Sequence, residues 1–207
     1  MTRYGFVIDQ KRCVGCQTCA VACKSFNNLP DGVWWNRVMT DGGDAMDTAG
    51  GVYPNNYLSF VPVACQHCEN PACVKVCPVG ATYKDAETGV VRQDYDKCIG
   101  CRMCMSACPY TGVRSFNWDE PQYQIDVVVG DSDVAPHQKH TVEKCTMCWN
   151  RLAKGLAPAC VEVCPAKARF WGDLDDPDSD VASKLAGRRE HQLLEEMGTR
   201  PSVYYLS

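Results

Sequence analysis

No stretch of this 207-residue chain approaches the roughly eighteen consecutive apolar residues that a membrane-crossing helix needs, and the longest candidate, around residues 57–64, is interrupted by Pro62. The sequence therefore predicts no direct membrane span. Its opening, MTRYGFVIDQKRC, runs straight into a strand-like segment without the apolar core or cleavage site of a secretory signal, which predicts a chain that stays in the cytosol on its own. Charge of one sign is missing too: 21 Lys and Arg stand against 25 Asp and Glu, a formal net charge of −4. That balance supplies no basic field for nucleic acid. The G-x-G-x-x-G, Walker A, G-x-S-x-G and H-E-x-x-H patterns are all absent, so hydride transfer, nucleotide hydrolysis and acyl transfer lack their usual equipment. No catalytic residue is expected, and the chain should turn over nothing alone.

Cysteine is what the chain has in excess. Its 16 Cys fall into four groups of four: Cys13, Cys16, Cys19, Cys23; Cys65, Cys68, Cys73, Cys77; Cys98, Cys101, Cys104, Cys108; and Cys145, Cys148, Cys160, Cys164. Eight disulfides would need an oxidising compartment that a chain without a signal does not reach unaided. A four-Cys zinc site usually joins two C-x2-C pairs through about 12–20 residues, whereas the first and third groups are far more compact, and only the fourth looks superficially like zinc.

The third group, CIGCRMCMSACP, matches C-x2-C-x2-C-x3-C-P, the iron-sulfur run whose fourth Cys ligates the other cluster of a pair. The first group keeps that spacing with Lys24 in place of Pro, the second widens one gap to four residues, and the fourth widens it to eleven. Three thiolates on a tight loop wrap a cubane while loop N–H groups face its sulfurs, and Gly15 and Gly100 suit such a loop. The fourth Cys lies about 6 Å further along a helical turn and reaches a neighbouring cluster.

The second and third motifs, joined by GATYKDAETGVVRQDYDKC with Thr82-Tyr83 and Val90-Val91 flanking a turn, read as a complete two-cluster ferredoxin. By elimination the first and fourth motifs pair. The expected 4Fe-4S ligand sets are Cys13, Cys16, Cys19 with Cys164; Cys145, Cys148, Cys160 with Cys23; Cys65, Cys68, Cys73 with Cys108; and Cys98, Cys101, Cys104 with Cys77. The expected fold class is α+β, with two bacterial-ferredoxin-like two-cluster modules: residues 61–114 (motifs II and III) inserted into a split module of residues 1–60 and 115–172 (motifs I and IV). A wrapping or docking tail, 173–207, follows. Sixteen thiolates against four oxidised cores of about +2 each would bring the holoprotein to about −12.

The chain resembles the four-cluster iron-sulfur subunits of molybdopterin oxidoreductases, of the dimethyl sulfoxide reductase and polysulfide reductase type. The resemblance rests on RYGFVIDQKRCVGCQTCAVACK, CQHCENPACVKVCPVGA, CIGCRMCMSACPY, CTMCWNRLAKGLAPACVEVCPAKA, and the tail GDLDDPDSDV with GTRPSVYYL. It implies electron transfer between a large catalytic subunit carrying molybdopterin with molybdenum or tungsten and an integral membrane quinone-reactive anchor, with no molybdopterin in this chain. It implies the same ligand pairing. Some relatives replace the second Cys of the third motif and hold a 3Fe-4S cluster, but Cys101 stands there, so a full cubane is expected. Such complexes lie peripheral to the cytoplasmic membrane, commonly outside it by co-export with a signal-bearing partner, though some face the cytoplasm. The alternative is a ferredoxin-type subunit of a hydrogenase or formate-lyase complex.

The remaining expectations concern local structure. WWNRVMT and NNYLSF predict a strand pair around a Gly-rich loop, with Trp34 and Trp35 facing opposite ways. QYQIDVVV reads as β-like. In the tail, Ser179 or Asp180 caps a helix that runs through Leu185 and resumes through Leu193 and Leu194, before an extended end at Tyr204-Tyr205. His67 lies inside a cluster loop, and His137, His140 and His191 lie in polar stretches, so packing or solvent is expected for all four. Lys24, Lys75, Lys97, Arg102, Lys144 and Lys167 read as solvated surface, with Arg102 the favoured candidate for tuning a cluster.

Overall fold

The computed structural model describes residues 2–45, 47–125 and 127–207. In chain order the elements are β1 (Tyr4–Asp9), α1 (Thr18–Phe26), β2 (Asn36–Asp41), β3 (Gly50–Val52), β4 (Asn55–Tyr57), β5 (Ser59–Ala64), α2 (Ala72–Lys75), β6 (Thr82–Lys84) and β7 (Val91–Gln93). There follow α3 (Met103–Ser106), β8 (Arg114–Phe116), β9 (Val142–Lys144), α4 (Trp149–Leu152), α5 (Ala159–Glu162), β10 (Arg169–Asp173), α6 (Asp180–Leu185), β11 (Glu190–His191) and β12 (Val203–Leu206). The mixture of short helices and short strands agrees with the α+β expectation.

The one extended sheet among the described residues has the order β10-β1-β12-β11. Its centre, β1, pairs antiparallel with β10 (Phe6↔Trp171) and parallel with β12 (Phe6↔Val203). A central strand covered on both faces reads as a continuous apolar run, and Phe6, Val7 and Ile8 are all buried. Phe6 and Ile8 pack with Val203 and Tyr205 on one face, and Val7 packs with Val181 and Leu206 on the other. The final segment is thereby a structural part of the sheet: Ser179 accepts the Ala182 N–H at 3.1 Å, starting α6, whose Val181 covers β1.

Two expected strand pairs are present. The β2–β5 pair runs Asn36↔Ala64 to Asp41↔Ser59, with the small β3–β4 hairpin between. Both tryptophans precede β2; Trp35 is buried, while Trp34 is half-exposed beneath the Lys24 ammonium, 4.9 Å from its ring. The β6–β7 pair closes around a turn in which the Asp85 carboxylate accepts the Glu87 and Thr88 N–H groups and the Thr88 hydroxyl. That is the short-range bonding by which Asp favours turns.

Two segments differ from expectation. The described residues of QYQIDVVV form no strand: Ile125, Val127, Val128 and Val129 are all exposed, so the run lacks the buried face on which β propensity depends. Asp126 lies outside the described residues. Leu193 and Leu194 form no second helix: His191 enters the sheet opposite Tyr205, and Leu194 takes a left-handed φ of 50° before a single 3-10 turn, Glu195–Met197.

The link between β8 and β9 is anchored by a buried ion pair. His137 Nδ1 lies 2.7 Å from Glu143 Oε1 and Nε2 2.9 Å from the Asn27 carbonyl, tying this link to the end of α1. Burial alone lowers the imidazole pKa, but the Glu143 hydrogen bond and charge more than offset it and hold it above its ordinary value. A raised folded-state pKa contributes stability that is complete below the unfolded value near 6.5 and drains away as pH rises through the folded value. The urea midpoint of the holoprotein should fall across that window. His137→Ala should flatten this dependence and cost about 3–5 kcal/mol near pH 6, because Glu143 is left buried without its cation.

Candidate metal centres

Each Cys-x-x-Cys loop turns at the same place. The residue before the second Cys has a left-handed backbone in all four: Gly15 (φ 67°), His67 (42°), Gly100 (68°) and Met147 (59°). This conformation directs N–H groups inward, and Met147 donates to Cys145 Sγ at 3.4 Å. Gly15 and Gly100 are needed for space as well, since a Cβ would come within 2.4 Å of the Phe60 ring and 2.6 Å of the His140 carbonyl oxygen, respectively. His67 and Met147 bear the strain of the same conformation and are fully buried.

The third Cys of each motif lies on a short helix and the fourth follows one turn later. Cys19 and Cys23 are both on α1, while Cys73, Cys104 and Cys160 lie on α2, α3 and α5. One turn separates the two thiols enough to face different cavities. One cavity is lined by Cys13, Cys16, Cys19 and Cys164, a second by Cys23, Cys145, Cys148 and Cys160, and a third by Cys77, Cys98, Cys101 and Cys104. The remaining four are neighbours: Cys68 and Cys108 each feel the charges of Cys65 and Cys73. Among the described residues no three Cys, His, Asp or Glu side chains are set to hold one metal ion, so these thiols surround volumes rather than converge on points.

The four sets lie in a row. Cys19 and Cys160 share one apolar cluster, Cys23 and Cys145 share a second with Cys65, and Cys73 and Cys104 share a third. Cys16 and Cys101, the exposed thiols, belong to the two ends. Toward the middle, burial followed by repulsion from neighbouring sulfurs pushes thiol pKa values up, to about 11 for both Cys68 and Cys148 and well above the ordinary value for Cys23. Four thiolates cannot share such a space without a cationic core between them, and the donor set fits an iron-sulfur cluster.

Comparison with known proteins agrees with an iron-sulfur donor set. The 4Fe-4S dicluster domain family matches residues 56–125 and 132–174, and the 4Fe-4S binding domain family matches residues 10–32. A Halobacterium salinarum protein, provisionally named as an iron-sulfur subunit of dimethyl sulfoxide reductase, is 54% identical over all of this chain and 80% of its own length. The arsenate respiratory reductase iron-sulfur subunit of Shewanella sp. (strain ANA-3) is 41% identical over 99% of this chain and 96% of its own. A selenate reductase subunit of Mesobacillus selenatarsenatis is 43% identical over 97% and 70%. The chain belongs to the iron-sulfur subunits of the molybdopterin oxidoreductases. It binds 4Fe-4S clusters through ferredoxin-like domains and relays electrons.

Of the basic side chains expected at the surface of this iron-sulfur subunit, Lys75, Lys97, Arg102 and Lys167 are exposed, whereas Lys24 and Lys144 are not. Lys144 is buried, donating to the Val91 carbonyl and, at 2.9 Å, to that of Cys145. Lys24 binds the carbonyls of Leu29, Pro30 and Val33, locking the loop after α1. Arg102 is exposed, as expected, and lines the cavity of Cys77, Cys98, Cys101 and Cys104, its guanidinium stacked 4.4 Å over Trp118. The buried arginines Arg114 and Arg169 escaped sequence reasoning. Their signal was present: each follows the Cys-Pro of a motif closely, in CPYTGVR and CPAKAR.

Proposed function

We propose that the chain holds four 4Fe-4S clusters and carries electrons along their row, between a molybdenum or tungsten catalytic subunit and a membrane quinone-reactive anchor. The ligand sets are Cys13, Cys16, Cys19, Cys164; Cys145, Cys148, Cys160, Cys23; Cys65, Cys68, Cys73, Cys108; and Cys98, Cys101, Cys104, Cys77. The observation that carries this reading is the lining of three cavities, each by three thiols of one motif and the fourth thiol of another. The same crossing supports two ferredoxin-like modules, residues 61–114 inserted between 1–60 and 115–172, with 173–207 closing the sheet of the split module.

A bound 4Fe-4S cluster supplies one-electron exchange at a potential set by charge, hydrogen bonding and solvent exposure. This chain's residues determine those three variables. Loop N–H groups such as that of Met147 donate to ligand sulfurs. Leu29, Val33, Trp35 and Ala64 exclude water around Cys23, Cys65 and Cys145, where the modules meet. At the ends, exposed Cys16 and Cys101 bring ligation to the surface, beside exposed Val14 and Val21 or Ile99 and Met103, where a partner's redox centre can approach.

The relatives' names support reductase partnership: they include subunits of arsenate, selenate and tetrathionate reductases and of a menaquinone reductase. No described helix is long and apolar enough to cross a membrane. Association with the outer face of the cytoplasmic membrane then comes through partners, by co-export with a signal-bearing catalytic subunit.

The test is metal and acid-labile sulfide analysis of the anaerobically purified complex. About 16 iron per chain is expected, with molybdenum or tungsten in a large partner. Fewer than about 10 after full reconstitution would count against four cubanes, and a nickel-bearing partner would favour the hydrogenase-type reading.

A further inference from the structure

A guanidinium stays protonated at every pH a protein survives, so burying one without a carboxylate requires another source of negative charge. Two arginines in this chain are in that position. Arg169, at the start of β10, is 5% exposed and Arg114, at the start of β8, is 6% exposed. Among the described residues Arg169 Nε and both terminal nitrogens of Arg114 have no hydrogen-bond partner. Neither side chain forms an ion pair with a described Asp or Glu.

What surrounds them is sulfur. Arg169 lines both the cavity of Cys13, Cys16, Cys19, Cys164 and that of Cys23, Cys145, Cys148, Cys160, and its Nη1 donates toward Cys19 Sγ at 3.9 Å. Arg114 feels Cys73, Cys65 and Cys108 of one set and Cys104 of the next. Each lies just past the Cys-Pro of a motif, on the strand that leaves it. The two halves of the chain have thus buried a cation at corresponding points, Arg169 lining both cavities of its pair and Arg114 beside Cys65, Cys73 and Cys108 with Cys104 of the next set.

We propose that Arg169 and Arg114 are the potential-setting residues of the relay, each a fixed positive charge shared by the two clusters of one module. The proposal rests on the four-cluster assignment above. Four thiolates around an oxidised core of about +2 leave about −2, and one added electron makes it about −3, so a nearby cation stabilises the reduced state more and raises the potential. Because the same arginine faces both clusters of a module, it raises both together. One electron then leaves the first cluster and enters the second while the guanidinium keeps its proton, so transfer within a module moves no proton.

Redox titration followed by electron paramagnetic resonance, on the anaerobically purified complex, tests this. Arg169→Gln should retain sixteen irons and shift two of the four midpoints negative by tenfold or more in reduction equilibrium, about 59 mV for one electron. Arg114→Gln should shift the other two. Unchanged midpoints at full iron, or a shift spread evenly over all four, would overturn the proposal. Iron content reports separately on the cluster assignment: a wild-type complex short of four clusters sinks that assignment before any midpoint is read. Should a Gln variant lose iron, the matching Lys variant decides. Full iron with wild-type midpoints supports a charge role, whereas lost iron, or full iron with displaced midpoints, shows that guanidinium shape was required and refutes it.

Discussion

Iron removed from this chain under anaerobic, reducing conditions takes the fold with it. Four of the six described helices, α2, α3, α4 and α5, have four residues each. Isolated helices shorter than about 12–15 residues are marginal even with ideal sequences, so these persist only where something else fixes them. Of the four apolar clusters among the described residues, three include cysteines from two or more motifs. Structural zinc binding contributes about 10–16 kcal/mol to small metal-dependent folds, comparable to the entire 5–15 kcal/mol stability of a typical domain, and iron-sulfur ligation should act in the same way. Buried thiols whose ionisation burial opposes would revert to the protonated form, leaving voids lined by weak donors. Circular dichroism of the iron-free chain should show no cooperative thermal transition, and proteolysis should proceed throughout the cysteine loops. Residual structure, where any persists, should be confined to β1, β10 and β12. A cooperative, native-like melt of the iron-free chain would contradict this dependence on the clusters.

The cysteine spacing was the most legible feature because metal ligation is local chemistry written at fixed intervals. Gly15 and Gly100 announced the left-handed loop position for the same reason. His67 and Met147 adopt that position without a sequence signal, since burial rather than intrinsic preference pins them there. QYQIDVVV shows the converse failure: its β propensity is real, but propensity acts through packing, and Ile125, Val127, Val128 and Val129 are exposed with no face to pack on. Tertiary context also hid the charges. Lys144 reads as solvated beside Cys145, yet its ammonium is satisfied by the carbonyl of Cys145 and by that of Val91, 53 residues away. Arg102 drew notice by standing between two ligands, while Arg114 and Arg169 do so only in three dimensions. Which strand carries a side chain into the gap between two cavities is a topological fact, absent from any single motif.

Cys23→Ala and Cys16→Ala each delete one proposed ligand, but their consequences should differ greatly. Cys16 is exposed and belongs to an end of the row, so its cluster is the last to be crossed and the first that solvent could help to complete. Cys23 is 5% exposed and packs with Leu29, Trp35, Cys65 and Cys145, where the two proposed modules would meet. In the proposed pairing it is the ligand that α1 sends to the fourth motif, tying residue 23 to the loop at 145–160. Its loss removes a bond between segments more than a hundred residues apart, together with an interior member of the relay. The Cys23→Ala complex should fall from about 16 to about 12 irons, lose end-to-end electron transfer from the reduced partner to an acceptor, and show weakened attachment of α1 in hydrogen exchange. Cys16→Ala should perturb a single cluster spectrum and leave α1 protected. Full iron and undiminished throughput in Cys23→Ala would remove the crossed pairing, and with it the reason the second and third motifs are inserted between the first and fourth.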